Sequence, residues 1–488
     1  MDLLGDLGTV DQLTSVRTEN AILQDRVKKL NFRVKELSIE NESLKAEVEM
    51  YRQEAASVAS DGGVVTGHKN NISNNNKHNN NNTTNDDELV ECNDFLRSGN
   101  GIYAAQISDV SLSNLHGISN PLCCALSHDD TLLASGGADC QLVLTPWGAA
   151  DNNGSASRTV VTDHALVIPC GGPVVTVMFH PTQNIVAAAC MDGTVWVHSY
   201  ELVTGTPAAA APATTTTAAK LVLRASTKIP TKHEKYVKTI AWWNASTDSK
   251  EKQLVNNNYD MLASGSADGT VQLHKVSLEI DYTQDDMPHN ITMEPTETLY
   301  LRTAVESLCF IQNHLCCYAR ERPYLMCFDV QNNFAQRKIN LNHAGRPAAA
   351  GTTMEDQHVS FAVMDMAPSP NNDGTGNGSG GKYLALATDA NRNIVLEFDT
   401  GLHVRNLYGH KNDGFSNPKI TWSRNGQYIM GNTQEDASVC IWDVASSNLV
   451  ERKTEHGQTI RDMFASATSD ILVTTSFDKQ TRFWFASS

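Results

Sequence analysis

No two cysteines in this chain are spaced as Cys-x-x-Cys, although there are eleven of them. The nearest neighbours are the adjacent pairs Cys123–Cys124 and Cys316–Cys317, which sit in apolar, strand-like runs (PLCCALS and HLCCYA). Without metal-ligand spacing, neither a zinc site nor a disulfide framework is expected, and reduced cysteines acting as small buried hydrophobes fit better. That usage predicts a reducing compartment, the cytoplasm or alternatively the nucleus. A run of 18 apolar residues is also missing, so no membrane-spanning helix is expected. The first residues, MDLLGDLGTVDQL, lack the basic-then-apolar order of a signal peptide. There is no GxxxxGK[ST], GxSxG or HExxH. The glycine-rich NNDGTGNGSGGK at 371–382 does not have the spacing of a phosphate loop and reads as a flexible insertion. These absences leave no catalytic residue, cofactor or metal to nominate, and the chain is expected not to be an enzyme. A net charge of −17 makes broad binding to a nucleic-acid backbone unattractive.

What is present divides the 488 residues into four stretches. After a short tail (1–12), apolar positions recur by threes and fours. Leu13, Asn20, Val27, Val34, Asn41 and Val48 form one series; Val16, Leu23, Leu30, Leu37, Leu44 and Tyr51 form the other. These are the a and d positions of a heptad, and they predict an α-helical coiled coil over 13–56. Valine at a with leucine at d favours two parallel strands, and asparagine at a fixes their register. Pairing with a different helical chain fits the same heptads. No basic region precedes them, so the DNA-binding form of the leucine zipper is not expected. Residues 70–85 contain ten asparagines, too polar to offset the entropy of ordering, and 57–98 reads as a disordered linker.

From 99 to 488 the sequence repeats loosely. LLASGGADCQLVL (132–144), MLASGSADGTVQLH (261–274) and LVTTSFDKQTRFW (472–484) are each a strand, a tight turn with Asp, and a second strand. Turn positions at Asp139, Asp192, Asp268, Arg322, Arg392, Asp436 and Asp478 define seven units, which suggests a sheet repeated around an axis. The stretch resembles WD40-repeat β-propellers. Gly409–His410 and Trp442–Asp443 stand at that family's signature positions in the sixth unit. In the fourth and fifth units Arg322 and Arg392 replace the turn Asp, and Phe328 and Phe398 replace the Trp. The resemblance implies a seven-bladed, all-β propeller, with a buried structural tetrad of His456, Thr474, Asp478 and Trp484 in the last blade. It also implies closure of the ring by a strand from before the first blade, here GIYAAQISDV (101–110), added as the outer strand of blade seven.

If strands A to D of each blade alternate as the resemblance implies, the insertions 205–219, 279–297 and 367–381 fall on the face made by AB and CD connections. The opposite face, of BC and DA connections, stays compact apart from 343–357. Four cations are expected on that compact face: Arg320, Arg322, Arg392 and Lys411. In an acidic protein they would draw acidic or phosphorylated peptides to one surface. The expected function is a protein–protein interaction scaffold, dimerised by its coiled coil. A heterotrimeric G-protein β-like subunit and a co-repressor-like nuclear protein are the alternatives.

Overall fold

A computed structural model of the chain describes residues 103–104, 111–147, 165–203, 220–230, 232–244, 260–281, 289–342, 359–370, 381–412 and 417–486. The expected tail (1–12), coiled coil (13–56) and linker (57–98) all lie outside them. Within the described residues there are only strands and turns, arranged as seven antiparallel sheets. The innermost strands, in order, are Pro121–Leu126, Val174–Phe179, Val237–Trp243, Val305–Ile311, Val363–Pro368, Ile420–Trp422 and Ile460–Ala465. Each packs on the inner strand of the next blade, and the seventh packs on the first. The fold is a closed seven-bladed β-propeller.

Seven apolar clusters hold the ring, one between each pair of neighbouring blades. Cys123 and Leu144 of blade one meet Val174 and Phe179 of blade two. At the closure, Ile471 and Phe483 of blade seven meet Leu126 and Trp147 of blade one. Because each sheet is covered on both faces, its middle strand is not half polar. Leu132–Gly137, Ile185–Cys190, Tyr383–Thr388 and Ile471–Ser476 are buried at every residue. Small residues such as the three alanines of IVAAAC let adjacent sheets approach closely.

The outer strand of blade seven comes from the N-terminal side of the domain. Tyr103 and Ala104 pair with Ala486 and Phe485, and Ser111, Leu112 and Ser113 pair with Arg482, Thr481 and Gln480. Of the 101–110 stretch only Tyr103–Ala104 is among the described residues; the pairing at Ser111–Ser113 lies beyond it, and Leu112 is buried in the closing cluster.

Two readings of the sequence are corrected. The acidic stretch 279–297 is mostly strand rather than a loop insertion. It belongs to a long hairpin of Thr270–Ile280 and His289–Tyr300, paired down to Ile280↔His289. Blade five is also shifted in register. Leu384 faces Leu396 as Leu472 faces Trp484, so Leu396 takes the tryptophan place. Ala390, rather than Arg392, then takes the place of the turn Asp. The segment Leu396-Glu397-Phe398 offers two apolar residues at alternate positions, and spacing alone selected the aromatic one. Phe398 instead follows its strand, fully buried against His314 and Arg337 of blade four. In blade four the pairing Leu315↔Phe328 puts Phe328 at the tryptophan place.

Candidate functional site

Each inner strand runs from the BC/DA face to the AB/CD face, so the tight BC turns and the DA connections share one end of the propeller. Three blades lock these two kinds of loop together. In blade seven, His456 Nδ1 donates to Asp478 (2.8 Å), and Thr474 donates to His456 Nε2 (2.7 Å). Trp484 Nε1 in turn donates to the Thr474 hydroxyl (2.8 Å). Blade one repeats the first part of this chain with His116, Ser135 and Asp139. Blade three does so with His233, Ser264 and Asp268. Burial alone would raise the Asp478 carboxyl. His456 and the N–H groups of Gln480 and Gly457 overcome it and hold the carboxyl below its ordinary range. Both nitrogens of the imidazole are satisfied, which spares the buried ring the cost of an unpaired polar atom. Where the turn must approach its neighbour, glycine is obligatory. Gly193 has φ +84°, and a Cβ there would lie 2.4 Å from the His233 carbonyl.

Blade six carries the signature residues without this chain. His410 is buried against Trp442, whose Nε1 donates to the Tyr408 carbonyl (2.7 Å). Neither ring nitrogen of His410 has a hydrogen-bond partner among the described residues. The reason is cross-strand. Gly431 occupies the place of Thr474, since Ile420↔Gly431 matches Met463↔Thr474, and Asp436 is turned to Arg452 and Ser438. Burial, helped by Arg452, pushes His410 down to about 4. Burial likewise lowers His198 and His274 to about 4.

A histidine whose pKa is depressed on folding contributes stability above its unfolded value near 6.5 and loses it as the pH falls from there to about 4. Between pH 7.5 and 5 each of the three should cost about 2 kcal/mol. Replacing His410 by Leu should therefore make the fall in urea-unfolding free energy over that range about 2 kcal/mol smaller. An unchanged pH dependence in H410L would contradict the burial of an unpaired imidazole.

All four cations singled out in the sequence fall in loops of the BC/DA face, but each has its own surroundings. Arg320 Nε donates to Glu306 (2.6 Å). Arg322 is half-buried, its N–H closing a turn on the Ala319 carbonyl (3.3 Å). Arg392 packs over the Phe361 ring. Lys411, largely exposed, pairs with Glu435 (2.7 Å).

A tighter constellation was not visible in the sequence. Lys238, Glu306 and Arg461 each follow the first residue of an inner strand, at a β-bulge (Val237/Thr239, Val305/Ser307 and Ile460/Asp462). The Glu306 carboxylate, almost wholly buried, takes both Lys238 and Arg320. Lys419 pairs with Asp462 (3.2 Å), which also accepts the Cys124 N–H of blade one (3.0 Å). Asp365 accepts the Ile420 N–H (3.1 Å). Burial raises the Asp365 carboxyl, opposed chiefly by Lys419. Burial lowers the Lys238 ammonium, and the charges of Arg320, Lys419 and Arg461 push it the same way. Lys238 belongs to blade three and Lys419 and Arg461 to blades six and seven. Blades so far apart in the ring are brought within range of one another only at its axis. The sequence signal, in retrospect, is a charge set in the opening of an otherwise apolar run: VKTIAWW, VESLCFI and IRDMFA.

Residues 110–144 and 160–199 match the family model described as WD domain, G-beta repeat. No curated protein matches the chain. The matched segments cover most of the first two blades, and with the seven-bladed ring they support a WD40 β-propeller. No helix among the described residues is long and apolar enough to cross a membrane.

Proposed function

We propose that this chain is a non-enzymatic interaction scaffold, whose propeller recognises an acidic segment of a partner protein on the BC/DA face. Propellers of this type generally serve as platforms for protein partners. One observation carries the choice of face: cations from four blades meet at the axis, at the end where three hydrogen-bonded chains hold the loops rigid. Rigid loops bearing exposed charge suit recognition. Arg322, Arg392 and Lys411 would form the outer part of that surface.

The second half of the proposal rests on the heptads alone. Residues 13–52 would pair two copies in parallel, through Leu23, Leu30, Leu37 and Leu44 at d and Val27, Val34 and Val48 at a, with Asn20 and Asn41 setting register. Two propellers on one zipper raise the effective concentration of the second contact and turn weak binding into durable capture. Cysteine usage supports a cytoplasmic location for this work, with the nucleus as the alternative.

The test is affinity capture from extract with the full chain and with a chain lacking residues 1–56. Both should retain the same partners, and the full chain should release them more slowly. In sedimentation the full chain should run as a dimer, and Leu30→Lys with Leu37→Lys should run as a monomer. A full chain that stays monomeric at tens of micromolar would end the dimer reading. Recovery of a small helical chain on residues 13–52 would replace it with the G-protein β-like one.

A further inference from the structure

We infer that the axial end of the BC/DA face is a carboxylate-binding site. It takes one Asp or Glu side chain of a partner peptide among Lys238, Arg320 and Arg461, and sets a neighbouring apolar residue against Met191 and Tyr236. The inference rests on the scaffold reading and names the chemistry of its ligand.

Among the described residues the charges at the axis do not cancel. Lys238, Arg320, Lys419 and Arg461 face Glu306, Asp365 and Asp462, so four cations meet three carboxylates. Glu306 is shared between two of the cations, and Asp462 is committed to Lys419 and a backbone N–H. Arg461 is the one left short. Its Nε is buried with no hydrogen-bond partner among the described residues, and its guanidinium packs over Phe477 of the adjoining BC turn at 4.8 Å. Burial lowers its pKa against the pull of Asp462. A buried N–H donor without an acceptor is costly, and an incoming oxygen anion would supply the acceptor that the described residues lack.

The excess of one positive charge selects a monoanion. A dianionic phosphate would overfill the site and press against Glu306 and Asp462, whereas a carboxylate matches both the charge and the planar fork of arginine. Elsewhere a net charge of −17 repels acidic peptides, so this site would be a local attractor.

Beside the charges lie exposed apolar side chains. Met191 is in the BC turn of blade two, and Tyr236 precedes Lys238 by two residues; they are 50% and 40% exposed. Their loops are joined directly, because the His233 N–H donates to the Gly193 carbonyl (3.0 Å). An acidic residue held at the axis would therefore bring its neighbour in the peptide over an apolar rim.

The test uses degenerate dodecapeptide pools with a fixed centre of Leu-Glu-Leu, Leu-Gln-Leu or Leu-phosphoserine-Leu, passed over the immobilised full chain. The glutamate pool should be retained about tenfold more than the glutamine pool, the usual scale of a charge-assisted contact out of water. Arg461→Gln should remove most of that preference and Arg461→Lys should restore part of it, both with melting temperatures near the parent. Lys238→Met, which leaves the buried Glu306 with Arg320 alone, should weaken the preference and also lower the melting temperature. Equal retention of the glutamate and glutamine pools would overturn the site, as would a preference that survives R461Q. Stronger retention of the phosphoserine pool would overturn the choice of a carboxylate. Capture of partners from extract, run in parallel, reads the scaffold proposal separately. If it persists without any glutamate preference, this site falls and the scaffold stands.

Discussion

A chain that begins at residue 115 should lose blade seven. Removing the segment before it takes away the pairing of Tyr103–Ala104 and Ser111–Ser113 with Gln480–Ala486. It also removes the Asn114 N–H donated to the Lys479 carbonyl (3.1 Å). Leu112 leaves the cluster of Trp147, Ile471, Val473 and Phe483. Burial of that leucine is worth about 2 kcal/mol, and the lost backbone pairs add roughly 1 kcal/mol each. The larger consequence is kinetic. Strand Gln480–Ala486 becomes an unpaired edge, which invites pairing with other molecules. We expect insolubility, or a melting temperature lower by roughly 5 °C or more for a domain of this size. Removing residues 1–60 takes away none of these pairings and should leave melting unchanged. If the chain beginning at 115 stays soluble and melts like the parent, closure by this segment is not what holds the ring.

Asp462→Ala should be the most damaging single substitution at the axis. One carboxylate there ties three blades. It lies on the inner strand of blade seven, holds the Lys419 ammonium of blade six and accepts the Cys124 N–H of blade one. Breaking a buried pair by removing one partner typically costs about 3–5 kcal/mol, because the remaining charge is left uncompensated. Asp365 still faces Lys419, which places the expected loss near the lower end, about 3 kcal/mol. Replacing both partners, with Asp462→Leu and Lys419→Met, should be less harmful than D462A, since it strands no charge. Urea unfolding of the three proteins measures both statements. A D462A protein within about 0.5 kcal/mol of the parent, or a double variant worse than the single, would show that the tie carries little.

Much of the ring could be read from the chain, and the reason is locality. The tetrad of blade seven spans only His456 to Trp484, and its turn, Asp478 followed six residues later by Trp484, lies within one hairpin. Such spacing reflects a single β-turn and a fixed strand period. The same locality failed in blade five, where Leu396 and Phe398 are both apolar and on the same side, and only the pairing Leu384↔Leu396 chose between them. In blade six His410 and Trp442 are legible as the signature residues, while their chemistry hangs on Gly431 across the strand pair. The blade-three hairpin reads as a loop in the sequence because its composition is acidic and its outer strand, His289–Tyr300, leaves many residues in solvent.

The amino-acid sequence by itself determined the seven sheet units and the tight turns that separate their strands. Turn chemistry, strand period and apolar spacing act over a few residues and leave their mark in order along the chain. Only the tertiary structure decided where the charges meet. Cys124 and Asp462 are 338 residues apart, and Lys238, Arg320, Lys419 and Arg461 come from four blades. No local pattern couples such positions. They become neighbours because ring closure brings every inner strand to one axis, where burial raises the energetic weight of each unpaired charge.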